Sequence, residues 1–380
     1  MLNDWLILTV VNYGRVALCM PILNFNRDQT CERALTLIFK LLQFLIVFIA
    51  VGVECDTFLV NSIEKLIGSF KLSDHITYIL VCSSYAISNL FIRLGNVLHT
   101  QDLQEFVTSV TFLSKSVRIK SVQGIGFILI AFSFLPLLLF VTFDIFLSDI
   151  KSFDVSNLQL NIFPSQLAIH FHFIEIISTY GAVIYAYLFI VIFGVLIVHI
   201  FEQYVSNLDK IYLRPVTGPS AICMRSFEKF KEEIFVLKQV MDTYAEIAGI
   251  YLLGVLSQAA LNWFRFLDYI TNDKKVSFLA DSMIVNVFSV TAIGYIACFG
   301  NYVNKRSHRL KGKLLAADVN IGTSSHPRIS KLLTWIISWD WKLSVLDMCD
   351  LNHATIPTVI SAILPCMILI FQLRMSENET

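Results

Sequence analysis

The residues of this sequence that are capable of chemistry do not converge on an enzyme's site. His170 and His172 stand two residues apart, a spacing that suits a strand face better than a helical metal pair, and His199 and His308 have no spaced partner. There is no Gly-rich phosphate loop, no His-Glu-x-x-His motif and no intramembrane carboxylate pair. The eight cysteines are scattered without a CxxC pair, so neither a zinc site nor a disulfide framework is indicated. The expectation is a protein without a cofactor, a metal or a catalytic centre. Charges inside apolar segments are few: Lys40 and Glu246 near one end, Asp144, Glu175 and Asp281 near the other, with Arg93 and Arg265 also inside. Most can reach water by snorkelling or through a local cavity.

A second set is suited to binding rather than reaction. Tyr78, Tyr85, Phe140, Tyr180, Tyr185, Gln258, Asn262, Trp263, Asp281 and Asn286 mix aromatic and polar groups in one half of the apolar segments. Aromatic walls with a few polar groups describe a small-molecule pocket, and an aromatic belt at the membrane interface accounts for several of the same residues. A third group closes the last apolar run. There Gln372 would merely be tolerated on a lipid-facing helix, whereas on a pore-lining helix its amide would meet ions or neighbouring subunits. Ile368, one turn below, would then form an apolar constriction, and Pro365 on roughly that face would let the helix bend.

The elements that must position these groups follow from composition. The chain of 380 residues is 56% hydrophobic and 15% charged, where soluble domains carry about a quarter charged residues. Seven stretches reach the roughly 20 apolar residues that a bilayer core of about 30 Å requires. They are Ala34 to Glu54, Ile76 to Leu98, Gly124 to Leu147, Phe173 to Phe201, Thr243 to Arg265, Ser277 to Gly300 and Thr355 to Leu373. Twenty of the 29 lysines and arginines fall in the amino-terminal segment and the even-numbered connections, and six fall on the other side. Basic residues are retained in the cytoplasm, which puts the amino terminus inside and the carboxyl terminus outside. With no signal peptide apparent, the first span would direct insertion. The net charge is zero and no basic patch interleaves with aromatics, so nucleic acid is not an expected partner.

That orientation is opposite to a G-protein-coupled receptor. The third span also lacks Asp-Arg-Tyr, and the seventh lacks Asn-Pro-x-x-Tyr. The last two cytoplasmic connections, 202–242 and 301–354, contain amphipathic stripes. In the first, Phe227, Phe230, Ile234, Leu237 and Met241 recur at helical steps and run toward the fifth span without a break. In the second, Ile329, Leu332, Leu333, Ile336 and Ile337 follow the breaker run Gly322 to Pro327, with Trp335, Trp339 and Trp341 beside them. Such stripes either lie on the membrane surface or pack together as a helical base beneath it.

The closing segment Pro365-Cys366-Met367-Ile368-Leu369-Ile370-Phe371-Gln372-Leu373 resembles the signature of the insect gustatory receptor family, Thr-Tyr, five hydrophobic residues, then Gln-Phe, near the carboxyl terminus. Met367 to Phe371 supply the five hydrophobics and Gln372 the glutamine, while Pro365, Cys366 and Leu373 replace the other three. The approach Leu351 to Ala362, the length, the seven spans, the long basic sixth connection and the short tail also resemble that family. The resemblance implies an all-α membrane protein that is a subunit of a tetrameric ligand-gated cation channel in the plasma membrane of chemosensory neurons. It implies a small-molecule tastant as ligand, like or related subunits as partners, and Pro365, Ile368, Gln372 and Leu373 in the pore or gate. It also implies that the cytoplasmic extensions of spans four to seven anchor the subunits. Sugar-receptor members commonly have glutamate where this chain has Met367, which points to a bitter or other non-sugar compound.

Insect odorant receptors share the architecture and stand as the family alternative. A seven-helix enzyme or transporter is the alternative of another class; only Pro136 and Pro365 fall well inside spans, and no matching halves are visible. The orientation is directly testable. An amino-terminal tag should stain only after permeabilisation and a carboxyl-terminal tag on intact cells, and an amino-terminal tag accessible at the cell surface would contradict the charge count.

Overall fold

Segments this apolar satisfy their backbone groups internally, and helix is the outcome almost throughout. The computed structural model describes residues 2–17, 19–20, 34–49, 51–52, 72–116, 181–212, 221–271, 276–321, 327–339, 344–345, 349–352 and 354–379. In chain order these form α1 (Leu2–Val16), α2 (Ala34–Ile49), α3 (Leu72–Leu98) and α4 (Thr100–Ser116). Next comes α5, which covers Gly181–Asn207, passes through a π-helical turn at Phe189–Phe193 and continues as Gly194–Tyr212. Then follow α6 (Ala221–Thr271), α7 (Val276–Ile321), α8 (Pro327–Ile337), the antiparallel pair β1 (Ser344–Val345) and β2 (Cys349–Asp350), and α9 (Thr355–Glu379).

The fold class is all-α, apart from that two-residue strand pair. Among the described residues three helices are long and apolar enough to cross a membrane: Gly181–Asn207, Glu228–Gln258 and Thr355–Glu377. Ala34–Ile49 and Ala86–Leu98 are shorter apolar helices within the first two expected spans, and the third expected span, Gly124 to Leu147, lies outside the described residues. The helix expected to run unbroken into the fifth span does so as α6, which is 51 residues long.

Two helices go beyond the sequence expectations. On α4, Leu103, Phe106, Val110 and Leu113 recur at steps of three and four and are buried, so a segment expected to be a connection is an amphipathic helix. On α1, Leu6, Ile7 and Val10 enter the same core.

That core is built around α5. Phe189 and Phe193 pack with Phe106, at ring centroid distances of 5.5 and 5.0 Å, and Tyr251 meets Phe189 edge-on at 5.2 Å. A π turn leaves the regular hydrogen-bond ladder, and the Tyr244 hydroxyl of α6 donates to the Ile190 carbonyl within it. The next residue, Gly194, has the Tyr244 hydroxyl and the Phe299 ring where a Cβ would stand, so the close approach of α5, α6 and α7 requires glycine there.

On the cytoplasmic side in the expected orientation, α8 packs on α7. Leu332, Leu333, Ile336 and Trp339 are all buried within the chain, and Trp339 stacks on Phe201 of α5. The reading of this stripe as a helix lying on the membrane surface is therefore corrected: its apolar face is covered by the chain's own helices. Arg306 of α7 pairs with Glu202 of α5, and that hydrogen bond holds the guanidinium above its ordinary value. Leu333→Ala should lower stability by about 2–5 kcal/mol, as expected for a buried leucine whose site does not collapse. Thermal unfolding in detergent measures the loss, and an unchanged melting curve would contradict the packing.

Candidate pore helix and the helices that hold it

Local signals set the start of α9. The Asn352 side-chain oxygen accepts from the Ala354 backbone N–H at 2.7 Å, and Thr355 Oγ1 accepts from the Asn352 N–H at 3.1 Å. Pro357 lies in the first turn, where its missing N–H costs nothing, and Pro365 lies inside the helix. Upstream, buried Leu351 rests against Gly300 of α7 so closely that a Cβ on Gly300 would overlap its carbonyl.

One face of α9 is packed and the other is bare. Ile363 and Ile370 are buried, with Val359 and Met367 beside them, against Ile76 and Leu80 of α3. At the end of this stripe Glu377 accepts from the Ser73 backbone N–H at 3.1 Å and from the Ser73 hydroxyl at 2.5 Å. A carboxylate thus sits on the first turn of α3, where free N–H groups and the helix dipole favour negative charge. The start of α3 lies beside the end of α9, so the two run antiparallel, as successive inward and outward crossings would require.

Directly opposite this packed stripe, at helical steps, lie Thr358, Ser361, Pro365, Ile368, Gln372 and Ser376, all exposed. Only 12% of the apolar stretch of α9 is buried, whereas 94% of the α5 stretch is. The Thr358 hydroxyl is satisfied by the Ala354 carbonyl at 2.8 Å. The Gln372 amide makes no hydrogen bond within the chain among the described residues. Pro365, Ile368 and Gln372 therefore share one exposed face, while Leu373 is half-buried and turned away from it.

The binding set is less completely described. Tyr180 and Phe140 lie outside the described residues. Tyr78 and Tyr85 lie on α3, Asn262 and Trp263 on α6, and Asp281 and Asn286 on α7, with side chains outside those described. Tyr185 is fully buried, its ring against Phe189 at 6.1 Å and Tyr251 at 5.8 Å. Gln258 is buried and accepts from Ser88 at 3.3 Å, joining α6 to α3. No group of three metal-ligating side chains occurs among the described residues.

Arg93, which the sequence marked only as a charge inside a span, ties helices together. It is 1% exposed. Its guanidinium donates to Asn89 Oδ1 at 3.0 Å, to Gln43 Oε1 at 2.8 Å and to the Ala17 carbonyl at 3.3 Å. One side chain thus joins α3 to α2 and to the end of α1, and one turn on, Asn96 accepts from the Tyr251 hydroxyl. The available signal was the cost of an arginine in an apolar helix, which is borne only where partners are ready.

The chain's fold matches a solved insect olfactory receptor, OR5 from Machilis hrabei, with a TM-score of 0.70 at 11% sequence identity over 98% of each chain. The same receptor in complex with eugenol matches with a TM-score of 0.65 at 10% identity, over 98% of this chain and 97% of that one. No protein-family profile and no curated protein matches the sequence. The likeness defines the class of architecture, a helical bundle matched over nearly its full length to insect chemoreceptors of known structure.

Replacing Arg93 by leucine should strand buried polar partners at about 1–3 kcal/mol each. Hydrogen exchange should accelerate in α1 well before it does in α6. Unchanged protection of α1 would mean that the guanidinium does not hold it.

Proposed function

We propose that this chain is a chemosensory subunit of a tetrameric ligand-gated, non-selective cation channel in the plasma membrane, opened by a small organic molecule from outside. The observation that carries this reading is the bare face of α9. At the outer interface a lipid-facing helix would merely tolerate an amide, whereas on a water-filled axis the same amide can meet permeating ions or neighbouring subunits. Helices with polar groups on the side away from their own bundle are suited to surround such an axis. Four copies would bring four Gln372 amides to its outer mouth, with four Ile368 side chains one turn below as an apolar constriction. Glu377 on the first turn of α3 gives movement in the bundle a direct connection to the outer end of the pore helix.

Gln372 and the hydrophobic run before it favour a gustatory-type receptor for bitter or other non-sugar compounds. The matched fold of an olfactory receptor, one structure of which holds eugenol, favours an odorant-type ligand to at least the same degree. Both readings require ionic current through the protein itself. In cells expressing the chain, calcium imaging against bitter compounds, sugars and volatiles would separate them, and a response without G-protein signalling separates both from a membrane enzyme or transporter.

At the level of residues, Gln372→Ala and Ile368→Ala should each change conductance, ion selectivity or resting current without loss of surface expression. Leu369→Ala, about 100° around the helix from Ile368, should do less. Single-channel recordings in which both variants match the parent would remove α9 from the pore.

A further inference from the structure

Ser116, the last residue of α4, is exposed and stands at the head of a hydrogen-bond relay that joins three helices. Its Oγ lies 2.9 Å from the Tyr204 hydroxyl of α5, and that hydroxyl donates to Glu233 Oε2 of α6 at 3.0 Å. Burial raises the Tyr204 phenol above its ordinary value, so the phenol keeps its proton. A tyrosine has one proton to give, and Glu233 takes it; in the contact between the two hydroxyls the serine is then the donor. The same serine proton can also serve the Leu113 carbonyl, at 3.0 Å. All three members of the relay fall in the second and fourth connections, which are cytoplasmic in the expected orientation.

The surrounding sequence is basic. Lys115 precedes Ser116, Arg118 and Lys120 follow it, and no acid occurs between Glu105 and Asp144. Such a stretch complements the acid-lined groove of a kinase that selects basic peptides. Ser307 also stands between arginines, Arg306 and Arg309, but it is buried within α7, and Ser114 is buried on α4. Ser338 is exposed, yet an acid, Asp340, follows it. Access differs too, because the last carbonyls of a helix have no intrahelical partner and its final turn unwinds at small cost.

We propose that Ser116 is a phosphorylation site and that the phosphate parts the end of α4 from α5 and α6. The donor is ATP, brought by a serine kinase. An Oγ–P bond forms, the bond from the γ-phosphorus to the β,γ-bridging oxygen breaks, ADP leaves, and the hydroxyl proton passes to the kinase's catalytic carboxylate. Ser116 then has no proton for Tyr204 or Leu113, and it carries an anion separated from Glu233 by one tyrosine oxygen. The single Tyr204 proton can serve the phosphate or the carboxylate, not both. The phosphate also stands at the negative end of the α4 dipole. Two lysines are poorly placed to offset it: Lys229, paired with Glu233 at 3.9 Å, is exposed, and Lys115 adjoins Ser116 at a spacing that does not face it on a helix. The buried stripe Leu103, Phe106, Val110 and Leu113 keeps the rest of α4 docked, so the loosening falls on its last two turns.

The experiment treats the full chain in detergent with Mg2+, ATP and the catalytic fragment of protein kinase C, which favours serines flanked by basic residues. Mass spectrometry of peptides should place phosphate on Ser116 and none on Ser114 or Ser307. Arg118→Ala with Lys120→Ala should slow that modification at least about tenfold. Hydrogen exchange over Val110–Ser116 should accelerate at least about tenfold in the phosphorylated chain, with α7 unchanged. In Tyr204→Phe the relay is already open, so phosphorylation should accelerate exchange less. An unmodified Ser116 overturns the site. Phosphate on Ser116 without faster exchange overturns its effect on α4, and an equal acceleration in Tyr204→Phe overturns the relay as the cause. None of these outcomes depends on ionic current, so each is distinct from a failure of the channel reading.

Discussion

A helix that is apolar on every side has to be surrounded, and α5 imposes that requirement on the rest of the chain. Its π turn occupies the centre of an aromatic cluster shared with α4 and α6, and its continuation beyond that turn is covered by α7, by Trp339 and, through Tyr204, by Phe230 of α6. The other helices are placed by what they must cover. Once they stand around α5, each has an outward side that lipid, water or another chain must meet. Of the three membrane-length helices among the described residues, α9, which packs on α3 along a single stripe, has the smallest share of its apolar stretch covered.

Polar groups inside the bundle decide alignment where apolar packing alone is permissive. Leucine and isoleucine faces can slide by a turn at small cost, but a buried guanidinium or hydroxyl without its partner is costly. Arg93 sets the end of α1 against α2 and α3, and Tyr244 sets α6 against the carbonyl exposed by the π turn. Ser88 with Gln258 and Ser73 with Glu377 do the same between α3 and α6 and between α3 and α9. Helix α3 takes part in three of these contacts, so a displacement of α3 reaches the end of α1, the bundle and the far end of α9 together.

Helix α6 shows how one long helix serves two environments. Along it the buried residues continue at the same helical spacing from Phe230 to Tyr251. The opposite side changes from charged residues in its first half to mainly apolar ones in its second. Continuity of the helix transmits position from one half to the other without a hinge. No glycine or proline interrupts it between Ala221 and Ala248, which agrees with that stiffness. Glycines enter only beyond that stretch, and one of them, Gly254, admits Ile92 of α3 at close approach.

The sequence alone determined the helical class, because long apolar runs have no other way to satisfy their backbones in lipid. It also determined the unbroken α6 and the apolar stripe of α8, whose periodicities are local properties. Gln372, Ile368 and Pro365 could be placed on one helical face by counting residues. Which way that face turns was beyond the sequence, since nothing in α9 itself says that Ile363 and Ile370 seek α3; only packing separates the covered stripe from the bare one. The roles of Arg93 and Glu377 were hidden for a related reason. Arg93 has partners 50 and 76 residues away in the chain and Glu377 has one 304 residues away, and contacts at such separation leave no periodic trace. The stripe of α8 lies buried rather than on a membrane surface because α7 and Trp339 lie over it, a fact of tertiary position that an amphipathic pattern cannot express.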